Sequence, residues 1–128
     1  MANPNIVNVT SIYAGNAAWA LTTTVTTTLW TIDADMIVKI NSMIATNTHA
    51  TATTALTIDV NGIGSGVTGV TGTSLATVAK IASTINIPSD DILSVIDKPI
   101  YLMENDVLRG GASSGCDLYI SFEVINDA

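Results

Sequence analysis

The sequence predicts an all-β protein, a single-domain antiparallel β-sandwich or jelly-roll-like fold of about eight short strands within residues 1–128. Three observations predict this class. Threonine, a β-branched residue that favours pleated strands, occurs nineteen times, and seven of these threonines lie between Thr22 and Thr31. Apolar and polar residues alternate with period two in several segments. Charged residues make up only 12% of the chain, so the charged outer faces typical of surface helices are nearly absent.

Four segments alternate most clearly, and each predicts a half-buried strand. Their expected apolar faces are Val38, Ile40 and Ile44 in Met36–Ile44; Leu56, Ile58 and Val60 in Thr54–Asn61; Ala79, Ile81, Ile85 and Ile87 in Ala79–Ile87; and Leu118, Ile120, Phe122 and Val124 in Asp117–Val124. Met43, Asp59 and Ala82 are expected on the opposite faces. Weaker patterns predict strands at Asn5–Ile12, Ala20–Ile32, Ile92–Asp97, Ile100–Met103 and Val107–Arg109.

Helical structure is expected at one place at most. Leu21, Val25 and Leu29 are spaced by four, as on a helix, but the threonines among them are poor helix formers, so a strand is favoured. Ala14–Ala20 is the only plausible short helical turn. Clusters of proline, glycine, asparagine, aspartate and serine predict turns or loops at Pro88–Asp91, Glu104–Asp106 and Gly110–Gly115.

Composition and charge exclude several classes of protein. A hydrophobic content of 48% with little charge excludes intrinsic disorder. Eleven acidic residues against four basic ones give a net charge of −7, so binding of nucleic acid through its phosphates is not expected. The first residues do not resemble a signal peptide, and no apolar run approaches the roughly 18 residues of a membrane helix. We expect a chain that is made in a cytoplasm and then stays soluble or joins an assembly.

The motifs that suggest chemistry all have a simpler interpretation. Gly64–Gly69 matches the Gly-x-Gly-x-x-Gly fingerprint of dinucleotide sites, but the residues that follow do not propagate a helix, so a hairpin loop is expected. His49, the single histidine, lies in a polar loop-like stretch. Cys116, the single cysteine, is expected to be a small buried apolar residue. We therefore predict no catalytic residue, no cofactor and no metal.

Six of the eleven acidic residues occur in pairs at predicted turns, where aspartate and asparagine commonly hydrogen-bond the backbone. The pairs are Asp33 with Asp35, Asp90 with Asp91, and Glu104 with Asp106. Backbone capping is the favoured interpretation. A calcium site that uses Asp33, Asp35 or Asp59 stays open, because calcium needs only oxygen ligands.

An uncharged, strand-rich chain favours a component of an assembly. Exposed sheet edges invite aggregation unless they are covered, and a closed symmetric oligomer covers them. Trp19 and Trp30 either fill the core or anchor an interface. Residues 1–9 form a possible extended arm that pairs with the edge of a neighbouring sheet. The interface candidates are Ile6, Val7, Val9, Trp19 and Trp30.

Several segments, in order along the chain, resemble a family of small virion proteins of tailed bacteriophages, especially marine and cyanobacterial ones. These segments are Met1–Val9, Leu21–Thr24, Lys39–Ile44, Thr84–Pro88, Leu93–Leu102, Glu104 and Asp106 before Leu108–Arg109, and Leu118–Ser121 with Glu123 and Ile125. Two departures affect the last hairpin: Asn105 replaces a glycine of the family pattern, and Gly110–Gly111 replace β-branched residues.

The resemblance implies a capsid decoration or cement protein that joins neighbouring capsomers on the surface of the virion. Its partners would be the major capsid protein and copies of itself, as a homotrimer. A tail, neck or fibre-associated virion protein is the alternative. A carbohydrate-binding module for attachment to the host is a further alternative, and an enzyme is the least favoured class.

Overall fold

Nine strands account for most of the described chain. The computed structural model describes residues 9–62 and 76–126. The strands in chain order are β1 (Ser11–Leu21), β2 (Thr27–Thr31), β3 (Met36–Asn47), β4 (Thr54–Asn61), β5 (Val78–Ile87), β6 (Ile92–Ser94), β7 (Ile100–Leu102), β8 (Val107–Ala112) and β9 (Cys116–Asn126). No helix that could cross a membrane occurs in these ranges.

The strands form two antiparallel sheets. Sheet A has the order β1-β9-β3, with both β6 and β7 on the far side of β3, and sheet B has the order β2-β8-β4-β5. If β6 and β7 count as one interrupted strand, the pairs are nested: β1 with β9, β2 with β8, β3 with β6 and β7, and β4 with β5. This nesting is the folded-over long hairpin of a jelly roll. The all-β sandwich prediction is therefore confirmed.

The hydrophobic core lies between the two sheets. Leu56, Ile58 and Val60 enter it from sheet B, and Leu118 and Ile120 enter it from sheet A, so these predicted inward faces are confirmed. The rings of Trp30 on β2 and Phe122 on β9 contact each other across the sandwich, with centroids 4.7 Å apart and an interplanar angle of 59°. The burial of apolar side chains from both sheets is the main force that holds the layers together.

The prediction for the first part of the chain is wrong in two respects. Ala14–Ala20 is not a helical turn, because it lies inside β1, where all eleven residues pair with β9. The predicted strand Ala20–Ile32 is interrupted: β1 ends at Leu21, and β2 begins at Thr27 after a loop. Of the predicted strand Asn5–Ile12, residues 5–8 lie outside the described residues; among residues 9–12, Ser11 and Ile12 are in a strand. Tertiary pairing outweighs the weak strand propensity of alanine, glycine and asparagine here.

A β-bulge in β3 reverses the predicted faces of its second half. The register with β9 shifts between Ile40 and Ser42, and each one-residue shift moves the following side chains to the other side of a sheet. Met43 is consequently buried in the core, and Ile44 points outward. The prediction that Ile44 faces inward with Ile40, opposite Met43, is wrong for this reason.

A similar irregularity affects β5. Its register with β4 shifts on both sides of Ile58, and Thr84 has a φ of +52°. Ala82 and Ile87 are buried, whereas Ile85 is exposed. The alternation predicted for Ala79–Ile87 is confirmed at Ile87 and wrong at Ala82, which pairs with the core residue Ile58. Ile85 is on its predicted side, opposite the core residue Leu56, but stays 40% exposed.

The later strands differ from the prediction mainly in their bounds. The predicted strand Ile92–Asp97 shortens to β6, and β9 extends beyond Asp117–Val124 at both ends. Gly110 and Gly111 belong to β8 instead of the predicted loop, which is confined to residues 113–115. The turns predicted at Pro88–Asp91 and Glu104–Asp106 are confirmed, since the Asp91 N–H donates to the Pro88 carbonyl and the Asp106 N–H donates to that of Met103.

Candidate interaction surface

The outer face of sheet A exposes apolar side chains in several of its cross-strand rows. Residues paired directly across antiparallel strands lie on the same side of the sheet. One row joins Ala18, Tyr119, Ile44 and Ser94, and the next joins Ala20, Asp117, Thr46 and Ile92. Towards the other end of the sheet lies the row Ala14, Glu123, Lys39 and Tyr101. We call the exposed apolar members of this surface the apolar face: Ile12, Ala14, Ala18, Ala20, Ile44, Ile92, Tyr101 and Tyr119.

The apolar face exposes large side chains that a solvated sheet face seldom carries. Ile12 and Ile92 are each 63% exposed and Tyr101 is 54% exposed. The charges in its rows are the neighbouring Lys39 and Glu123, which are of opposite sign, and Asp117. The polar row of Asn16, Ser121 and Ser42 separates Ile12 and Tyr101 at one end of this face from Tyr119, Ile44 and Ile92 at the other. Exposed apolar side chains clustered on one sheet face mark a surface for protein contact more often than a surface that faces water.

The same outer side holds two buried isoleucines outside the core. Ile125 pairs with both Ile12 and Ile37 in one row. Ile37 and Ile125 are buried, but neither belongs to the core cluster between the sheets. Sheet A is therefore apolar on both sides at this end, which is typical of a sheet that is covered on both faces.

The edge of sheet A formed by β1 is long and regular. Its eleven residues pair with β9 on one side, and no other described strand lies on its second side. Such an edge is a template for the addition of another strand.

The structure places the sequence-predicted interface residues in different settings. Trp19 and Trp30 are half-buried and pack against the core from β1 and β2. Val9 is half-buried just before β1. Ile6 and Val7 lie outside the described residues. The sequence did not predict the apolar face, since its members come from five different strands.

Asp59 is the most deeply buried charge on the other sheet. Alternation predicted it on the polar face of β4, and it lies there, but it is only 1% exposed. The Arg109 side chain on β8 donates two hydrogen bonds to it, from Nε to Oδ1 (2.6 Å) and from an Nη atom to Oδ2 (2.9 Å). Lys80 on β5 lies 3.7 Å from Oδ2. The hydrogen bond to Asp59 raises the pKa of Arg109. This arrangement occupies the Asp59 carboxylate and leaves it unsuited to calcium.

The turn Glu104–Asp106 carries two buried carboxyl groups. Glu104 Oε2 accepts the Asp35 backbone N–H (2.9 Å), and Asp106 Oδ2 accepts that of Met103 (2.9 Å). Burial raises the pKa of Asp106, and the Met103 hydrogen bond partly opposes this rise. These contacts join the β2–β3 and β7–β8 turns at one end of the sandwich. The capping interpretation fits them, and the described residues contain no group of three or more histidine, cysteine or acidic side chains that could hold a metal.

His49 and Cys116 have structural environments. His49 lies in the loop predicted for it, and its Nδ1 accepts the backbone N–H groups of Thr51 (3.2 Å) and Ala52 (3.0 Å). The buried Asn47 accepts the His49 N–H at 2.9 Å. Cys116 is buried as predicted, and burial is the main cause of the raised pKa of its thiol. A buried thiol with a raised pKa is a poor nucleophile.

Comparison with known proteins assigns neither a family nor a function to this chain. Searches of protein-family models, of curated proteins and of solved structures found no match to the chain.

Proposed function

We propose that this protein is a structural component of a tailed-bacteriophage virion, a capsid decoration or cement protein that acts as a symmetric homo-oligomer. The apolar face is the observation that carries this proposal. A small domain with few charges that exposes isoleucines and tyrosines from adjacent strands is built for contact with other proteins. The assignment to a phage particle rests on the resemblance of segments such as Lys39–Ile44 and Leu93–Leu102.

The jelly-roll topology is compatible with this role but does not select it. Jelly rolls serve in viral capsid and lectin domains alike, and a fold by itself does not determine a function. What favours a structural role is the chemistry of the described residues. Asp59 and Asp106 hydrogen-bond within the fold. Glu104 does so through Oε2, while its buried Oε1 has no partner among the described residues. These bonds hold strands and turns together.

Attachment to a capsid is tested with purified particles that lack the protein. We expect the full chain to bind them, and Ile44→Lys, which places a charge in the centre of the apolar face, to abolish binding. Val25→Lys is the matched control, because Val25 is also exposed but lies in the β1–β2 loop. Equal binding of both variants would exclude the apolar face as the contact surface.

Removal of residues 1–9 tests the arm. If this segment adds a strand to the β1 edge of a neighbour, the truncated protein unfolds at the same denaturant concentration as the full chain but binds particles more weakly. Unchanged affinity would contradict the arm proposal and leave the apolar face as the sole contact.

The alternative role in the tail, neck or fibre uses the same surface with a different copy number. Decoration of a capsid requires hundreds of copies in each virion, whereas a tail or neck part requires tens or fewer. Quantitative mass spectrometry of purified virions against the major capsid protein distinguishes the two. A chain that is absent from virions would refute both.

A further inference from the structure

The borders of the two sheets differ in how well they resist the addition of another strand. On the far side of sheet A, β6 and β7 have three residues each. In sheet B, β2 has five residues and a shift in register, while β5 has two shifts in register and the exposed charge of Lys80. Short strands, bulges and charges are the features by which natural sheets protect their edges.

Strand β1, the remaining border, has none of these features. Its eleven residues pair with β9 without a shift in register, and they include no charged residue and no proline. An edge of this kind pairs readily with another strand unless something covers it. Because the chain has a net charge of −7, copies of it repel each other, so contact between copies is favoured where an uncharged strand adds no like charges.

The sequence of β1 is complementary to itself in the antiparallel direction. If Asn16 stands opposite Asn16 of a second copy, Ala14 stands opposite Ala18, and Ile12 stands opposite Ala20. On the outer side of sheet A, a large side chain thus meets a small one and two small side chains meet each other. The Asn16 side chain has both donor and acceptor groups, so two copies of it can hydrogen-bond to each other.

The same register brings aromatic rings together on the inner side of β1. Tyr13 and Trp19 lie on this side, because they pair with the core residues Val124 and Leu118 of β9. Tyr13 is 50% exposed. Trp19 is half-buried and lines a cavity of about 310 Å³ between β1, β2 and β8. In the two-fold register, Tyr13 of each copy stands opposite Trp19 of the other, and cross-strand aromatic pairs stabilise a sheet.

We propose that β1 is a two-fold interface, at which β1 of a second copy pairs with it in antiparallel orientation about Asn16. The two A sheets then form one continuous sheet with the order β3-β9-β1-β1-β9-β3. Both copies use the same patch, as a two-fold interface requires. This proposal names a contact for the homo-oligomer but does not rest on the phage assignment. Where copies also associate through the apolar face, the two-fold contact joins those oligomers in pairs.

Disulfide trapping in the isolated full chain tests this interface. Asn16→Cys places one cysteine of each copy at the axis, where the Cα atoms of paired residues lie about 4.5–5.5 Å apart, a distance that a disulfide spans. Oxidised glutathione is reduced to two glutathione molecules as the two thiols join. We expect most of this variant to become a covalent dimer on a non-reducing gel.

Asn86→Cys is the matched control, because Asn86 is also exposed but lies on the edge strand β5. This variant should stay unlinked. The native Cys116 is buried, so it does not compete for the oxidant. Equal yields of covalent dimer for Asn16→Cys and Asn86→Cys would overturn the proposal.

Two further variants distinguish the proposed register from any other. Ala14→Cys and Ala18→Cys should link to each other when they are mixed, since these positions face each other across the interface. Each variant alone should stay unlinked, because its two cysteines would lie roughly 14 Å apart along the strands. Linking within Ala14→Cys alone would show a different register and would contradict the proposal.

Removal of residues 1–9 separates this contact from the proposed arm, which would occupy the same edge. The Asn16→Cys chain without these residues should form the covalent dimer at the same yield or a higher one. Loss of the dimer would show that the arm, and not β1, mediates the contact, and the proposed interface would then be wrong. No particle takes part in this measurement, so a failure here leaves the proposed attachment to a capsid to its own test.

Discussion

At the scale of single residues, Asp59 shows how this sandwich tolerates a buried charge. A buried carboxylate is costly unless it is paired and hydrogen-bonded. Arg109 supplies a two-point hydrogen bond from β8, and Lys80 supplies a more distant charge from β5. The three side chains connect three adjacent strands of sheet B, so the pair acts as a cross-strand tie as well as a charge balance.

The contributions of the two cations to stability are expected to differ strongly. Arg109→Met leaves the buried Asp59 with only the lysine at 3.7 Å and should lower the midpoint of urea unfolding clearly. Lys80→Met should change the free energy of unfolding by about 0.5 kcal/mol or less, because that side chain is 53% exposed and exposed ion pairs contribute little. Equal effects of the two substitutions would show that the two-point geometry is unimportant.

Asp106 should give stability a dependence on pH. Because burial raises the pKa of its carboxyl in the folded protein, the folded state holds this proton to higher pH than the unfolded state does. Rising pH, from the ordinary value of 3.8 up to the folded-state pKa, therefore lowers its contribution to stability. The side chain at position 106 cannot titrate in Asp106→Asn. The free energy of unfolding of this variant, minus that of the unsubstituted protein, should therefore increase as the pH rises across this interval. Urea unfolding at a series of pH values measures the difference, and a difference independent of pH would contradict the prediction.

At the scale of strands, the sequence predicted where most strands occur. It predicted less well which side chains face the core and where each strand begins and ends. Alternation is a local signal, so it found β4 and β9 with their inward residues. It could not reveal the bulge between Ile40 and Ser42, because a bulge is set by the register with a partner strand. It also misjudged β1, whose alanines become strand residues only through pairing with β9.

The surfaces were harder to predict than the strands. Trp19 could be singled out for its size, but its place beside the cavity depends on the approach of β1, β2 and β8. The apolar face likewise depends on Ile44 pointing outward after the bulge in β3. Neither juxtaposition is encoded in the spacing of residues within any one segment.

The two glycines in β8 should differ in their tolerance of a methyl group. Gly111→Ala brings its Cβ against the backbone oxygens of Thr23 and Val25, at 2.7 and 2.8 Å. This clash must displace the loop and should cost about 1–3 kcal/mol. Gly110→Ala meets only the ends of the Ile58 and Leu29 side chains, which can rotate away, so the loss should be smaller. Thermal unfolding of both variants measures their losses of stability. A larger loss of stability for Gly110→Ala than for Gly111→Ala would contradict this interpretation of the loop.

At the scale of the whole molecule, a sandwich of this size leaves surfaces that need cover. Sheet A has the apolar face on its outer side, and at its border lies the edge of β1, which pairs with no other described strand than β9. The net charge of −7 favours solubility but opposes close packing of identical copies. Association of copies should therefore use the apolar face, where few charges occur, and should strengthen when salt screens the remaining repulsion.

Sedimentation analysis at micromolar concentration measures this association. We expect the chain to form a closed oligomer, a trimer in the proposed role, and Tyr119→Lys to shift it towards the monomer. Tyr13→Lys is the matched control, because Tyr13 is also exposed but projects from the opposite side of β1. A monomer in the unsubstituted protein would contradict the proposed oligomer.

The nested pairing also sets the order in which the protein can be completed during synthesis. β1 is the first of the described strands to be made and its partner β9 is the last, and Ser11 pairs with Asn126. β3, in the middle of the same sheet, also depends on β9 for its longest contact. Completion of sheet A must therefore wait until translation has passed β9, and pairings over such sequence separations are slow to form. During that delay β1 and β3 lack their β9 partner, and unpaired strand edges of this kind favour aggregation.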